Sequence, residues 1–266
     1  MFFFITFFLL SFFSPMKRKR EEPSPPTSSS VSMAPLPRGI VHLPNAVSAV
    51  DLEGLLETAI QLGASSEGGF FHCNNERCKR MLMMNLGVRE TGKGRYPQDI
   101  PEAWKVLARQ ISATASEQDP SIPLLEDPDV CVVNVYTPKS RLSMHEDVYS
   151  RKNRGIPVVS ISLGLSADFS YKRSWAKKHP KRNLLLHNGD AHVFGGKSRG
   201  IVHSVHRIYQ CSDRAPPSML SCIASQPAKL SKMMVILRRL PAGWEQDQQQ
   251  EKVVFPIRLN LNFRKR

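Results

Sequence analysis

The sequence predicts an α+β fold, mainly β, in which a pair of helices supports an antiparallel sandwich or barrel. Three observations carry this expectation. Short β-branched or alternating runs recur from residue 130 onward. The tight-turn signals Asn188-Gly189-Asp190 and Gly195-Gly196 separate them. Two segments with apolar residues at helical spacing come first. At 266 residues the chain can bury one good core with at most a small second element. Its apolar content is ordinary, which argues against bulk disorder.

Residues 1–39 read as an apolar stretch, a basic patch and a disordered Pro/Ser linker. The run Met1 to Phe13 is almost purely apolar yet too short to cross a bilayer comfortably. It lacks a basic leading region and a clear cleavage site. A poor signal sequence, an N-terminal anchor, and a stretch lying ahead of a true start at Met16 are the three readings. The last is preferred, because Met16-Lys17-Arg18-Lys19-Arg20 reads as a natural start. Lys17 to Arg20 also resembles a nuclear-localisation patch. Nucleus or cytoplasm is therefore expected, with a targeted or membrane-associated form left open by Met1 to Phe13. No stable membrane partner is expected, and a monomer is.

Residues 40–128 hold the two helices and a segment suited to gripping nucleotides. Leu52, Leu55, Leu56, Ala59 and Ile60 predict a helix over 51–62, with Gly63 just past its end as a left-handed cap. Pro101 fits the first position of a second helix carrying Trp104, Leu107, Ala108 and Ile111 on one stripe. Between them, residues 68–97 show little periodicity. They mix Phe70, Phe71 and Tyr96 with six cations, including Arg77, Lys79 and Arg80. Interleaved cations and aromatics suit phosphate contact and base stacking, although an ordinary surface loop has the same look.

Residues 129–266 form the β region. Val130–Tyr136 is β-branched. In Val158–Leu165, Ser160 and Ser162 share one face while Val159, Ile161 and Leu163 share the other. Shorter candidates are 184–186, 191–194, 201–205, 220–223, 233–237 and 259–263. Residues 241–252 are polar and Gln-rich, as in an exposed loop.

The net charge of +14 favours an anionic partner, nucleic acid first and an acidic membrane surface second; a solvated basic surface is the bland alternative. Five cysteines at irregular spacing argue against a disulfide framework and for a reducing compartment. His72-Cys73 followed by Cys78 has no second ligand pair at zinc-finger spacing, so Cys73 and Cys78 read as buried or loop thiols.

His145 and Asp147 are two apart, a spacing that puts both on one face of a strand. A single distal histidine would complete a 2-His-1-carboxylate set, which holds Fe(II) and leaves coordination positions open. His203, in the apolar run Ile201 to Val205, is one candidate. His187, His192 and His206 compete on spacing alone.

Further motifs select among them. Asn134-x-Tyr136, His145-x-Asp147, Asn188-Gly189-Asp190, Phe194-Gly-Gly-Lys-Ser-Arg199, His203 and the closing Arg258-Leu-Asn260-Leu-Asn-Phe-Arg264 together resemble the AlkB family of Fe(II)/2-oxoglutarate dioxygenases. The resemblance covers about residues 83–264 and is densest over 130–205. It implies a double-stranded β-helix (jelly-roll) core with supporting N-terminal helices. It implies Fe(II) on His145, Asp147 and His203, with O2 as co-reactant. The distal carboxylate of 2-oxoglutarate would pair with Arg258, whose forked guanidinium makes a bidentate contact that Lys does not reproduce. Asn134, Tyr136 and Ser160 match positions that hydrogen-bond this cosubstrate, and Asn260 and Arg264 match positions near its chelating end.

The implied reaction is hydroxylation of an N-methyl group on a base in DNA or RNA, releasing formaldehyde, succinate and CO2. A base inside a duplex would have to be flipped out or presented in a single strand. Tyr149 stands where several family members carry an acidic residue, so substrate preference does not follow. The interval from His203 to Arg258 is long, implying an insertion around 207–252 that includes Arg238-Arg239. A 2-oxoglutarate-dependent hydroxylase or demethylase of protein, and an AlkB-like nucleic-acid-binding protein without turnover, are the competing readings.

Overall fold

The computed structural model describes residues 35–73, 75–89, 94–147, 155–209 and 257–266. Two antiparallel sheets face one another, and two helices back the larger. The strands are β1 (Ile40–Leu43), β2 (Phe71–His72), β3 (Cys78–Lys79), β4 (Leu82–Gly87), β5 (Val130–Tyr136), β6 (Arg141–His145), β7 (Val158–Gly164), β8 (Ala167–Lys172), β9 (Arg182–Leu186), β10 (Ala191–Phe194), β11 (Val202–Ile208) and β12 (Arg258–Arg264); the helices are α1 (Ala49–Gly63) and α2 (Glu102–Gln118). The larger sheet runs β1-β10-β7-β12-β5-β4-β2 and the smaller β3-β6-β11-β8-β9. This is the expected jelly roll.

Period-2 alternation decides what each sheet faces. On β12, Leu259, Leu261 and Phe263 enter the core beneath the helices, while Arg258 and Asn260 turn to the cavity between the sheets. β5 does the same, with Cys131, Val133 and Val135 towards the helices and Asn134 and Tyr136 towards the cavity. β7 divides as its sequence predicts, placing Val159, Ile161 and Leu163 in the helix-side core. Trp104 of α2 meets the Phe263 ring edge-on at 6.4 Å, which locks the helix against β12. The second core, between the sheets, gathers Phe169, Tyr171, Phe194 and Val205.

Both helices are where periodicity puts them, with different boundaries. Ser48 caps α1 by accepting the Asp51 N–H at 3.1 Å. Gly63 is not a left-handed cap: it is the last helical residue, and Ala64 closes the helix in right-handed geometry. Gly63 matters for space instead, since any Cβ there would collide with the Phe70 ring. Pro101 precedes the first helical residue by one place.

Two readings of residues 68–97 need correction. The stretch is not an aperiodic loop. It holds β2, β3 and β4, and β4 pairs along its whole length with β5. Leu82, Met84 and Leu86 alternate into the core, but methionine on both faces hides the pattern. Cys73 and Cys78 are not free thiols but a disulfide, with Cα atoms 5.7 Å apart. The tight turn between them brings them together, its Asn75 carboxamide accepting the N–H groups of Arg77 and Cys78.

The candidates 220–223 and 233–237, the Gln-rich loop 241–252, Arg238-Arg239, Tyr149 and the apolar N-terminus lie outside the described residues. Among the described residues no helix is long and apolar enough to cross a membrane.

Candidate active site

His145 ends β6 and His203 lies near the start of β11; the two are directly paired across the ladder. Asp147 follows two residues past the end of β6 rather than within it. The three side chains nevertheless converge, with one potential ligand atom from each lying within 4.8 Å of the others. The His145 and His203 rings sit 4.3 Å apart between centroids.

Backbone carbonyls set the tautomers. His145 Nδ1 meets Ser143 O at 2.9 Å and His203 Nδ1 meets Ile201 O at 3.3 Å. A carbonyl oxygen only accepts, so both Nδ1 atoms carry the proton and both Nε2 lone pairs are left for a metal. Burial pulls the His203 imidazole down to about 4, against Asp147, which favours its charge. Burial would raise the Asp147 carboxyl, but Arg264, His203, His145 and Arg199 together hold it well below the usual carboxylate range. Neutral His203 and ionised Asp147 are the forms a cation needs. His187 and His206 do not join them; they bond Ser166 and Ser170 hydroxyls. His192 is nearby but outside the triad.

A cavity of about 230 Å³ opens beside this cluster and is lined by Asn134, Tyr136, Ser160, His192, Arg258, Asn260 and Arg264 among others. Arg258 is fully buried. Its Nη1 donates to Leu165 O at 3.0 Å and its Nη2 to Ser162 Oγ at 2.8 Å. Burial draws its guanidinium down to about 10, still cationic at neutral pH. Arg258 Nε, Tyr136 Oη, His192 Nδ1 and the Asn134 carboxamide oxygen find no hydrogen-bond partner among the described residues. Four orphaned polar groups in one buried cavity are costly unless a polar ligand completes them.

The other expected residues are also in the cavity, with different freedom. The Asn260 carboxamide is already used: it donates to Ser160 Oγ at 2.7 Å and to Ile161 O at 3.1 Å, and accepts from Asn262 at 2.8 Å. Arg264 is no tail cation. It is buried and its Nη1 lies 2.9 Å from Asp147 Oδ1. Sequence reasoning missed His192 as a cavity residue. A histidine among buried alternating residues looks like core, and only its register opposite Ser160 betrays it.

The donor set fits the expected groups. Two imidazoles and one carboxylate on one side of a cavity suit Fe(II). A buried guanidinium with unpaired donors beside it suits a carboxylate.

A jelly roll with these features defines a class: proteins that hold one non-haem metal ion at the mouth of a β-helix, with room for a small acid alongside. The comparisons agree. The model of the 2OG-Fe(II) oxygenase superfamily matches residues 39–264. DNA N(6)-methyladenine demethylase ALKBH1C of Arabidopsis thaliana is 31% identical over 219 residues, covering 73% of this chain and 47% of that protein. Alpha-ketoglutarate-dependent dioxygenase AlkB of Escherichia coli (strain K12) is 34% identical over 106 residues, covering 40% of this chain and 45% of that protein. The solved structure of OsALKBH1 superposes with a TM-score of 0.64 at 26% identity, covering 87% of this chain and all of that one. The chain belongs to the 2OG-Fe(II) oxygenase superfamily, in its AlkB family. It spans about half the length of the curated relatives it matches.

Proposed function

We propose that the protein is an Fe(II)/2-oxoglutarate-dependent dioxygenase that oxidatively demethylates N-alkylated bases in DNA or RNA, consuming O2. The observation that carries this reading is the meeting, in one cavity, of two Nε2 lone pairs and a carboxylate with the buried, partly unpaired guanidinium of Arg258. The names of the relatives and the basic charge favour a nucleic acid as the substrate.

His145, Asp147 and His203 would hold Fe(II), and the bound iron with 2-oxoglutarate supplies the oxidising power. Each chain residue then has a physical task. Ser143 O and Ile201 O keep the imidazoles turned with Nε2 towards the ion. Arg264 neutralises Asp147 through Oδ1 and restrains the carboxylate. Arg258 Nε and Tyr136 Oη donate to the distal carboxylate of 2-oxoglutarate, and the neutral His192 ring offers an Nδ1 proton to the same acid. Asn134 and Ser160 contact its other end, with Ser160 oriented by Asn260. The rings of Phe169 and Phe194, which flank His203, exclude water.

The test is incubation of the full chain with Fe(II), ascorbate, 2-oxoglutarate and a panel of methylated oligonucleotides, read by mass spectrometry. Loss of a methyl group with matching succinate is expected, and both disappear in His145→Ala. Turnover of a methylated protein, with every oligonucleotide untouched, would replace this reading by the protein-substrate one. Oligonucleotide binding without succinate would replace it by the reading of a nucleic-acid-binding protein without turnover.

A further inference from the structure

We propose that the tip of the β8–β9 hairpin is a docking surface for single-stranded nucleic acid, with a base stacked on Trp175 and phosphates held by the cations around it. This rests on the nucleic-acid reading above and extends it beyond the cavity, to a surface that neither the metal triad nor the cosubstrate needs.

Residues 172–182 (KRSWAKKHPKR) carry six cations and no acidic residue. All of these cations but Lys172 are exposed. In their midst Trp175 leaves 56% of its surface in water. Single exposed apolar residues are common, but an indole is the largest apolar side chain, and leaving it outside forgoes burial energy. The turn that presents it is organised. Lys172 Nζ lies 5.3 Å from the indole centroid and donates to Trp175 O at 3.4 Å. Ser174 Oγ accepts the Ala176 N–H at 3.2 Å and bonds His179 Nδ1 at 2.7 Å. Lys172 thus lies over one face of the ring, and more than half of the residue's surface still meets water. A preset aromatic loses little freedom on binding.

The tip is continuous with the candidate active site. Tyr171 pairs with His203 across the ladder. The Phe169 ring lies 5.3 Å from the His203 ring and stacks on Tyr171 at 6.0 Å. Arg182 in turn pairs with Tyr171 across the next ladder. Trp175 follows Tyr171 by four residues, so their Cα atoms are at most about 14 Å apart even in fully extended chain. One strand entering the cavity can therefore reach the tip.

Phosphates alone would suit a duplex equally well. The indole discriminates, because only an unstacked base offers it a face. The same composition fits an anionic lipid surface. Continuity with the cavity favours the strand.

The experiment is fluorescence anisotropy of the full chain with a short labelled oligothymidylate, carrying no methyl lesion for the active site to grip. Trp175→Ala is expected to weaken binding about 5- to 100-fold, and Trp175→Phe to restore most of it. Lys177→Ser with Lys178→Ser should flatten the dependence of log affinity on log salt by about 0.7 for each phosphate no longer neutralised. All variants should keep wild-type melting temperature and wild-type consumption of 2-oxoglutarate without a second substrate. Wild-type binding that Trp175→Ala leaves unchanged overturns the hairpin proposal and spares the nucleic-acid reading. A wild type that binds neither single-stranded DNA nor RNA removes both. Binding confined to phosphatidylserine vesicles, lost in Trp175→Ala, assigns the tip to membranes instead.

Discussion

The sharpest demands fall on two side chains in the cavity. Arg258 is pinned by Leu165 O and Ser162 Oγ, and its buried Nε–H has no partner among the described residues. Arg258→Lys keeps the charge but loses the fork and leaves those acceptors short of donors. The expected result is a rise in KM for 2-oxoglutarate of about 10- to 100-fold, the scale of missing charge-assisted hydrogen bonds. An unchanged KM would remove Arg258 from the cosubstrate site. His192 makes a finer test. Burial lowers its pKa well below the usual imidazole range, so it acts as a neutral single donor at any working pH. His192→Leu should weaken binding of N-oxalylglycine to the Mn(II)-loaded protein about 5- to 10-fold, one neutral hydrogen bond, and leave Mn(II) affinity alone. Calorimetry with each ligand separates the two effects. Arg258 was legible from the closing Arg-x5-Arg pattern. His192 was not, because strand alternation shows that a residue is buried but not which sheet face holds polar company.

Among the elements, the connection ahead of α1 is held by one carboxylate. Asp190, fully buried in the Asn-Gly-Asp turn, accepts from His42 Nε2 at 3.0 Å and from the N–H groups of Asn45 and His187 at 3.0 and 2.9 Å. It ties β1 and the approach to α1 to the turn before β10. Burial would raise this carboxyl, but the hydrogen bonds from His42, His187 and Asn45 outweigh it and hold the pKa below the ordinary 3.8. The stabilisation is therefore complete above that value and drains away as pH falls through the lower folded-state pKa. Asp190→Ala should cost about 3 kcal/mol near neutrality, the scale of a broken buried pair. Its deficit against wild type should shrink below about pH 3.8 in urea melts; a deficit constant from pH 7 to pH 3 would exclude ionisation as its source. The turn itself was legible, since Asn-Gly-Asp announces it. The partners of Asp190 were not, because His42 and Asn45 come from a segment about 150 residues away in the sequence.

For the molecule as a whole, metal and fold are linked. The triad joins β6 to β11, so an ion bound there stabilises the folded state and not the unfolded chain. Mn(II) at a hundred times its dissociation constant should add about 2.7 kcal/mol, roughly 5–10 °C in melting temperature for a domain of this size. EDTA should reverse it. An equal shift in His145→Ala would place the ion elsewhere. By itself the sequence determined a mainly antiparallel β fold, the two helices, the strand faces of β7 and the order of the site motifs whose resemblance implied the jelly roll, because alternation, turn chemistry and motif order are local properties of the chain. Only the tertiary structure decided the rest. It brought His203, and none of the three rival histidines, against His145 and Asp147. It recruited β4 and the Cys73–Cys78 pair, and it left Trp175 exposed at the tip of the β8–β9 hairpin. Register between distant strands sets those neighbours, and strand pairing is a property of two segments that neither carries alone.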